Sequence, residues 1–285
     1  MRILLLILLP FFTFGQETIL MLNEWKSIHH KRDIEYHFDW ENIENHASKV
    51  NKENFYNYII NNTSDRFCYA LEEKSLENLI TYQGHYFHFI DIDNDGDIDV
   101  IYDGRMCPGY ESETVIIYLK SSNGYNKISY SGKVVNIKPD TKQITIYSYG
   151  CCAIPQSSLQ FLTFKNDTVH KKSLTFIDNS MFYNDKFENY HQKFVIEKIN
   201  IKKNSDLYIS PTEKFSGLFE NRINNIFGIL KNDESVKSYY RYIDKETNIW
   251  YLCVIDCDKI KSTWSDRYKL LNYCEQYVAW IKFEE

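Results

Sequence analysis

Nine residues, Asp91-Ile92-Asp93-Asn94-Asp95-Gly96-Asp97-Ile98-Asp99, restrict this chain more than any other feature. Carboxylates fall at positions 1, 3, 5, 7 and 9 of the stretch, with a glycine at position 6. Hard cations such as Ca²⁺ take six to eight oxygen ligands, and alternate residues of a tight loop converge on one point. Gly96 allows the positive φ that so tight a turn demands. Without a cation, five like charges in nine residues would repel one another in the folded loop. The pattern therefore predicts a Ca²⁺ site built from Asp91, Asp93, Asp95, Asp97 and Asp99.

The flanks decide which kind of loop this is. An EF-hand needs a bidentate Glu at position 12 and a helix on each side. Position 12 here is Tyr102, and the neighbours are Tyr86-Phe87-His88-Phe89-Ile90 and Val100-Ile101-Tyr102. Aromatic and β-branched runs favour strands, so the expected unit is strand, loop, strand. In this respect Asp91, Asp93, Asp95, Gly96, Asp99 and Val100 resemble the calcium loop of the FG-GAP/VCBS family of extracellular β-proteins. The resemblance extends over about residues 84–130, through Tyr118-Leu119-Lys120 and Asn123-Gly124-Tyr125. It implies side-chain ligation by Asp91, Asp93, Asp95 and Asp99, and ligation by the backbone carbonyl of Asp97. A single copy of the loop is present, whereas a propeller needs several blades.

The N-terminus predicts export. Met1-Arg2 precedes an almost continuous apolar run, Ile3 to Phe14, which ends at Gly15-Gln16. Such a run is too short to span a bilayer and has the form of a secretory leader. Cleavage after Gly15 would expose Gln16, which can cyclise to pyroglutamate. No later segment is long and apolar, so no transmembrane segment is expected in the mature chain. A periplasmic, cell-surface or secreted location follows, where millimolar calcium can fill a loop of modest affinity.

Composition agrees with that setting. Lys and Arg number 33 against 39 Asp and Glu, a net charge of −6. Removing Arg2 with the leader gives 32 − 39 = −7. Basic residues occur only as isolated pairs such as Lys171-Lys172 and Lys202-Lys203, which argues against nucleic acid. Aromatics make up 16% of the chain and are expected in β-cores and cross-strand pairs rather than on a glycan-stacking surface.

Seven cysteines suit an oxidising compartment, and the odd count leaves at least one thiol free or intermolecular. Cys257 and Cys274 flank a polar segment, so a bridge between them would constrain a long insertion. Cys253–Cys274 is the second pairing considered, although Cys253 lies in an apolar strand. Cys151 or Cys152 could reach Cys107 or Cys68.

The expected fold is mainly β within an α+β whole. After a leader at 1–15, helical material at Asn45–Asn61 and Ser75–Thr81 leads into an antiparallel β-meander carrying the calcium hairpin, to about residue 200. Strands are read at 113–119, 126–131, 134–137, 143–149, 159–164, 173–177 and 194–199. A second domain is expected over 201–285. Its order, Leu207-Tyr208-Ile209-Ser210-Pro211, Gly228-Ile229-Leu230-Lys231, Trp250-Tyr251-Leu252-Cys253-Val254 and Ala279-Trp280-Ile281, resembles bacterial SH3-like (SH3b) domains over 204–283. That resemblance implies a small barrel with Trp250 and Trp280 inside it or lining a groove. Such modules often bind cell-wall peptides, which makes a cell-wall peptide, a glycan or an envelope protein the expected partner.

No catalytic constellation is visible. His85 and His88 sit three apart in a predicted strand and should face opposite sides, which suits zinc poorly. Gly-x-Ser-x-Gly, His-Glu-x-x-His and phosphate-loop patterns are all missing. Cys68 is the one candidate nucleophile for the alternative function, a cell-wall or glycan-directed envelope hydrolase. A non-enzymatic, calcium-stabilised binding protein is the reading favoured by the sequence.

Overall fold

A computed structural model describes residues 9–30, 38–43, 49–62, 76–105, 113–149, 156–165, 168–177, 196–201, 203–211, 225–231, 234–263 and 275–283. The helices among them are α1 (Leu9–His30), α2 (Lys49–Asn62) and α3 (Leu76–Gln83). The strands are β1 (Phe87–Ile90), β2 (Asp99–Arg105), β3 (Glu113–Ser121), β4 (Gly124–Ser131), β5 (Lys133–Lys138), β6 (Gln143–Tyr149), β7 (Gln156–Lys165) and β8 (Thr168–Ile177). They continue with β9 (Glu197–Asn200), β10 (Ser205–Tyr208), β11 (Ile226–Leu230), β12 (Ser235–Ile243), β13 (Ile249–Asp256), β14 (Ile260–Ser262) and β15 (Gln276–Phe283). The protein is mainly β. Among the described residues, no helix is long and apolar enough to cross a membrane. The chain forms two compact units, one of residues 35–148 and 160–172, the other of 1–34, 149–159 and 173–285.

The first of these units is a layered sandwich. Strands β1 to β4 pair in sequence order as an antiparallel meander, as the short strand spacing predicts. Successive side chains of a strand point to opposite faces, so Phe87, Phe89, Val100, Tyr102, Ile116 and Tyr118 share one side. They pack with Phe55, Tyr56 and Ile59 of α2 and Leu79 of α3. The ring of Phe55 sits 5.2–5.8 Å from those of Phe87, Phe89, Tyr118 and Tyr125, all edge-to-face. Such pairs add about 0.5–1.5 kcal/mol each beyond area burial. The opposite side carries Ile90, Ile101, Val115, Ile117 and Leu119, which meet Val134, Ile137, Ile144, Ile146, Leu162 and Phe164 of the β5–β7 layer. Burial on both faces is why these strands read as unbroken apolar runs rather than alternating ones. Phe38, Trp40 and Ile43 close the same core, and Trp40 stacks on His88 with ring centroids 3.6 Å apart.

The other unit centres on β15. Strand β13 pairs antiparallel along its whole length, from Ile249 opposite Phe283 to Asp256 opposite Gln276. The other edge of β15 is shared end to end. Leu174, Thr175 and Phe176 of β8 pair in parallel with Gln276, Tyr277 and Val278, while Leu207 and Tyr208 of β10 pair with Ile281 and Trp280. Strand β12 joins β13, and β9 joins β12. The order is the open one β14-β11-β10-β15-β13-β12-β9. The strands expected over 204–283 are all present, at β10, β11, β12, β13 and β15. However, β8 and β9 join them from before residue 200, so the boundary expected at 200–206 lies inside this unit. The β8–β15 pair is also parallel, which the antiparallel meander expected up to about residue 200 does not include.

Helix α1 supplies the rest of this core, and the sequence reading contains no helix there. Thr18, Met21, Leu22, Trp25 and Ile28 are buried, a spacing that puts them on one helical stripe. The Trp25 ring stacks on Phe176 at 4.2 Å, and Thr18 hydrogen-bonds the Tyr239 hydroxyl. Trp250 and Trp280 are both fully buried, so they form interior and not a groove.

The β12–β13 hairpin is held by one carboxylate. Asp244 Oδ1 accepts the backbone N–H groups of Glu246 and Asn248, and Oδ2 accepts Asn248 Nδ2 and the Trp250 indole Nε1, each at 2.9 Å. Burial pulls this carboxyl upward, but hydrogen bonds from Trp250, Asn248 and Glu246 outweigh it and hold the pKa below the usual range. Asp244→Ala should cost about 2–3 kcal/mol, because the buried indole N–H would lose its acceptor. Asp244→Asn, which keeps an accepting oxygen, should cost less. Urea denaturation of the two variants measures the difference.

The cysteines divide between observation and expectation. Cys253 is a buried free thiol, with its pKa pushed up by burial, which removes it from the Cys253–Cys274 pairing. Cys257 is disulfide-bonded, while its expected partner Cys274 lies outside the described residues, as do Cys68, Cys107, Cys151 and Cys152.

Candidate metal centre

The acidic loop connects β1 to β2 and is fixed from both ends. Ile90 pairs with Asp99 at the base of the hairpin, and Ile92 is fully buried in the core, which pins the loop's second residue. The turn is then drawn tight by Asp91, whose Oδ1 and Oδ2 accept the N–H groups of Asp95 and Gly96 at 3.1 Å. Asn94 and Gly96 take left-handed φ values of 54° and 94°. Asn94 tolerates this conformation and Gly96 adopts it without steric cost.

Three of the predicted ligands converge. Asp91, Asp93 and Asp99 each offer a carboxylate oxygen, and these atoms lie within 4.8 Å of one another. Two oxygens on opposite sides of one Ca²⁺ sit about 4.6–5.2 Å apart, given metal–oxygen distances of about 2.3–2.6 Å. Oxygen-only donors suit calcium, magnesium or manganese rather than zinc or copper.

The three carboxylates differ in their surroundings. Asp99 is buried, and its Oδ2 and Oδ1 accept the N–H groups of Ile92 at 3.1 Å and Lys120 at 2.7 Å. Each oxygen retains a second lone pair for a cation. Burial pushes the Asp99 carboxyl up to about 7, against the opposing pull of those two donors. Asp93 Oδ1 is shielded from solvent and has no hydrogen-bond partner. An orphaned acceptor of this kind costs about 1–3 kcal/mol, and more when charged. Burial, with the charges of Asp95 and Asp91, raises the Asp93 pKa. A cation among the three oxygens would remove both penalties, so the residues fit the group.

Asp95 and Asp97 stand apart from this cluster. Both are exposed, and Asp95 Oδ1 accepts the Asp97 N–H at 2.8 Å. For Asp97 the expected ligand is the backbone carbonyl, so an outward carboxylate leaves that role open.

Contacts beyond the loop carry no signature in the sequence. The Lys120 N–H and the Pro139 carbonyl, which accepts Asn94 Nδ2 at 3.1 Å, are backbone groups on distant strands and turns. Four residues past Asp99, half-buried Asp103 on β2 also accepts a backbone N–H. Its Oδ1 accepts the Val134 N–H at 3.2 Å, and burial lifts its pKa to about 7.

His85 lies exposed in the 3-10 turn Gly84–Tyr86, and His88 is buried in β1 against Trp40, so the two do not form a metal pair. The candidate nucleophile Cys68 lies outside the described residues. In comparisons with known proteins, no family model, no curated protein and no solved structure matches this chain.

Proposed function

We propose that this chain is an exported, non-enzymatic binding protein of the bacterial cell envelope or exterior, stabilised by Ca²⁺ in the Asp91–Asp99 loop. The convergence of the Asp91, Asp93 and Asp99 oxygens, with Asp93 Oδ1 left without a donor, is the observation that supports a cation there; export rests on the apolar run Ile3 to Phe14. Asp91, Asp93 and Asp99 would hold the ion through side chains, with Asp95 and the Asp97 carbonyl as the further ligands that the loop pattern supplies. The ion's contribution is charge compensation, which lets a hairpin with five carboxylates close onto the core. The segment 204–283 is the proposed recognition element, toward a cell-wall peptide, a glycan or an envelope protein.

Calcium should bind with measurable heat and raise the melting temperature. At a calcium concentration about 100 times the Kd, the gain is about 2.7 kcal/mol. In a unit of this size that corresponds to about 5–10 °C. Asp93→Ala should abolish the response. A calorimetric titration without heat, and a melting temperature unmoved by millimolar calcium, would refute the assignment.

A further inference from the structure

We infer that Lys142 sets the calcium affinity of the acidic loop: its ammonium compensates the loop carboxylates when no ion is bound, and opposes the ion when one arrives. The inference rests on the calcium reading and concerns a residue far from the loop in sequence, on the turn between β5 and β6. That turn is the 3-10 stretch Pro139–Thr141, closed by Lys142. The flanking strands pair up to its base, with Ile137 opposite Ile144 and Lys138 opposite Gln143. Ile137 and Ile144 belong to the same buried cluster as Ile92, the second residue of the acidic loop. Loop and turn therefore stand on one piece of core.

Above that core the contact is polar. The Pro139 carbonyl accepts Asn94 Nδ2 at 3.1 Å and the Lys142 N–H at 2.9 Å, so one oxygen joins the fourth residue of the loop to the end of the turn. Half-buried Lys142 is fixed in the left-handed region, φ 52° and ψ 47°, and its own carbonyl accepts the Phe164 N–H at 2.9 Å. Glycine or asparagine suits that backbone better than lysine, so the turn geometry does not account for the residue type. The charge does. Lys142 supplies positive charge to Asp93, against the like charges of Asp95 and Asp91. Asp93 Oδ1 still has no hydrogen-bond partner, so the ammonium compensates from a distance and leaves that oxygen open to a cation. A divalent ion among Asp91, Asp93 and Asp99 meets repulsion from the same ammonium. Removing the charge thus has two effects of opposite sign, a less stable empty protein and a tighter site. Damage to the turn would instead weaken both.

The test is calorimetric titration of the full chain with Ca²⁺ at low ionic strength, together with thermal melts in chelator. Lys142→Gln should lower the Kd about fivefold, the Coulomb effect of one unit charge on a divalent ion roughly 8 Å away in water. The same variant should melt at a lower temperature than wild type in chelator. The gain in affinity should shrink in about 1 M KCl, where screening acts over about 3 Å. Lys142→Arg keeps the charge and should bind as wild type does, while Lys138→Gln removes an equal charge at the other end of the turn and should tighten binding less. Unchanged or weaker binding by Lys142→Gln would overturn the inference while wild-type heat upholds the calcium site. An equal gain from Lys142→Arg or Lys138→Gln would overturn it too, because the effect would not belong to this charge. Wild type that binds no calcium would remove the calcium reading, and the inference with it.

Discussion

Without calcium, the protein should lose stability as pH rises from about 4 through about 7, and calcium should lessen that loss. Desolvation pushes the carboxyls of buried Asp99 and half-buried Asp103 up to about 7 in the folded chain, against about 3.9 for an unfolded aspartate. The folded state therefore holds protons that the unfolded state has released. Their contribution is fully present below about pH 4 and is lost as pH climbs through about 7. The loss is on the order of a few kcal/mol for the two groups together. Calcium binds only the ionised carboxylates, so its affinity rises over the same interval and offsets the loss. Urea denaturation at pH 5, 6, 7 and 8, in chelator and in millimolar calcium, measures both slopes. Asp103→Asn should flatten the slope in chelator while preserving the calcium response. Asp99→Asn should alter both. Identical slopes with and without calcium would show that no cation compensates Asp99.

A fragment of residues 202–285 should fail to unfold cooperatively, although the sequence alone marks it as a separate barrel. Cutting there removes β9 from the edge of β12 and β8 from the edge of β15. It also removes Met21, Leu22, Trp25 and Ile28 of α1 from the core. Truncating a single buried Trp costs about 3–5 kcal/mol, a large part of the typical 5–15 kcal/mol stability of a whole domain. In the full chain, Trp25→Ala should consequently lower the melting temperature by more than 5 °C. Circular dichroism melts of the fragment and the variant decide the matter. A sharp transition in the fragment would show that residues 202–285 are independent after all.

What could be read from the sequence follows from where each signal is stored. The acidic loop and its flanking strands were legible because odd spacing, glycine and β-branched neighbours are local properties. The central strands β3 to β6 were legible for the same reason, and β6 (Gln143–Tyr149) begins and ends where the turn residues place it. Helix α1 was not. Its first residues belong to the apolar run that ends at Phe14, and that uniform hydrophobicity hides the buried stripe of Thr18, Met21, Leu22, Trp25 and Ile28. The parallel contact of β8 with β15 joins residues a hundred positions apart, and no local pattern encodes it. Within the candidate site, the convergence of Asp91 and Asp93 with Asp99 follows from the loop pattern. The donors that orient Asp99 are main-chain groups, identical in every residue and therefore silent in a sequence.

The position of β15 has a consequence for how the molecule is made. This strand follows every other element of its unit, yet it is the one on which β8, β10 and β13 all pair. During vectorial emergence from a ribosome or a translocation channel, those three strands wait with open edges for their common neighbour. Unpaired edges of this kind invite pairing with other chains, and contacts between distant residues form slowly. A route that keeps the chain extended until its final strand has passed would suit this topology, whereas stepwise folding from the N-terminus would leave its centre vacant longest.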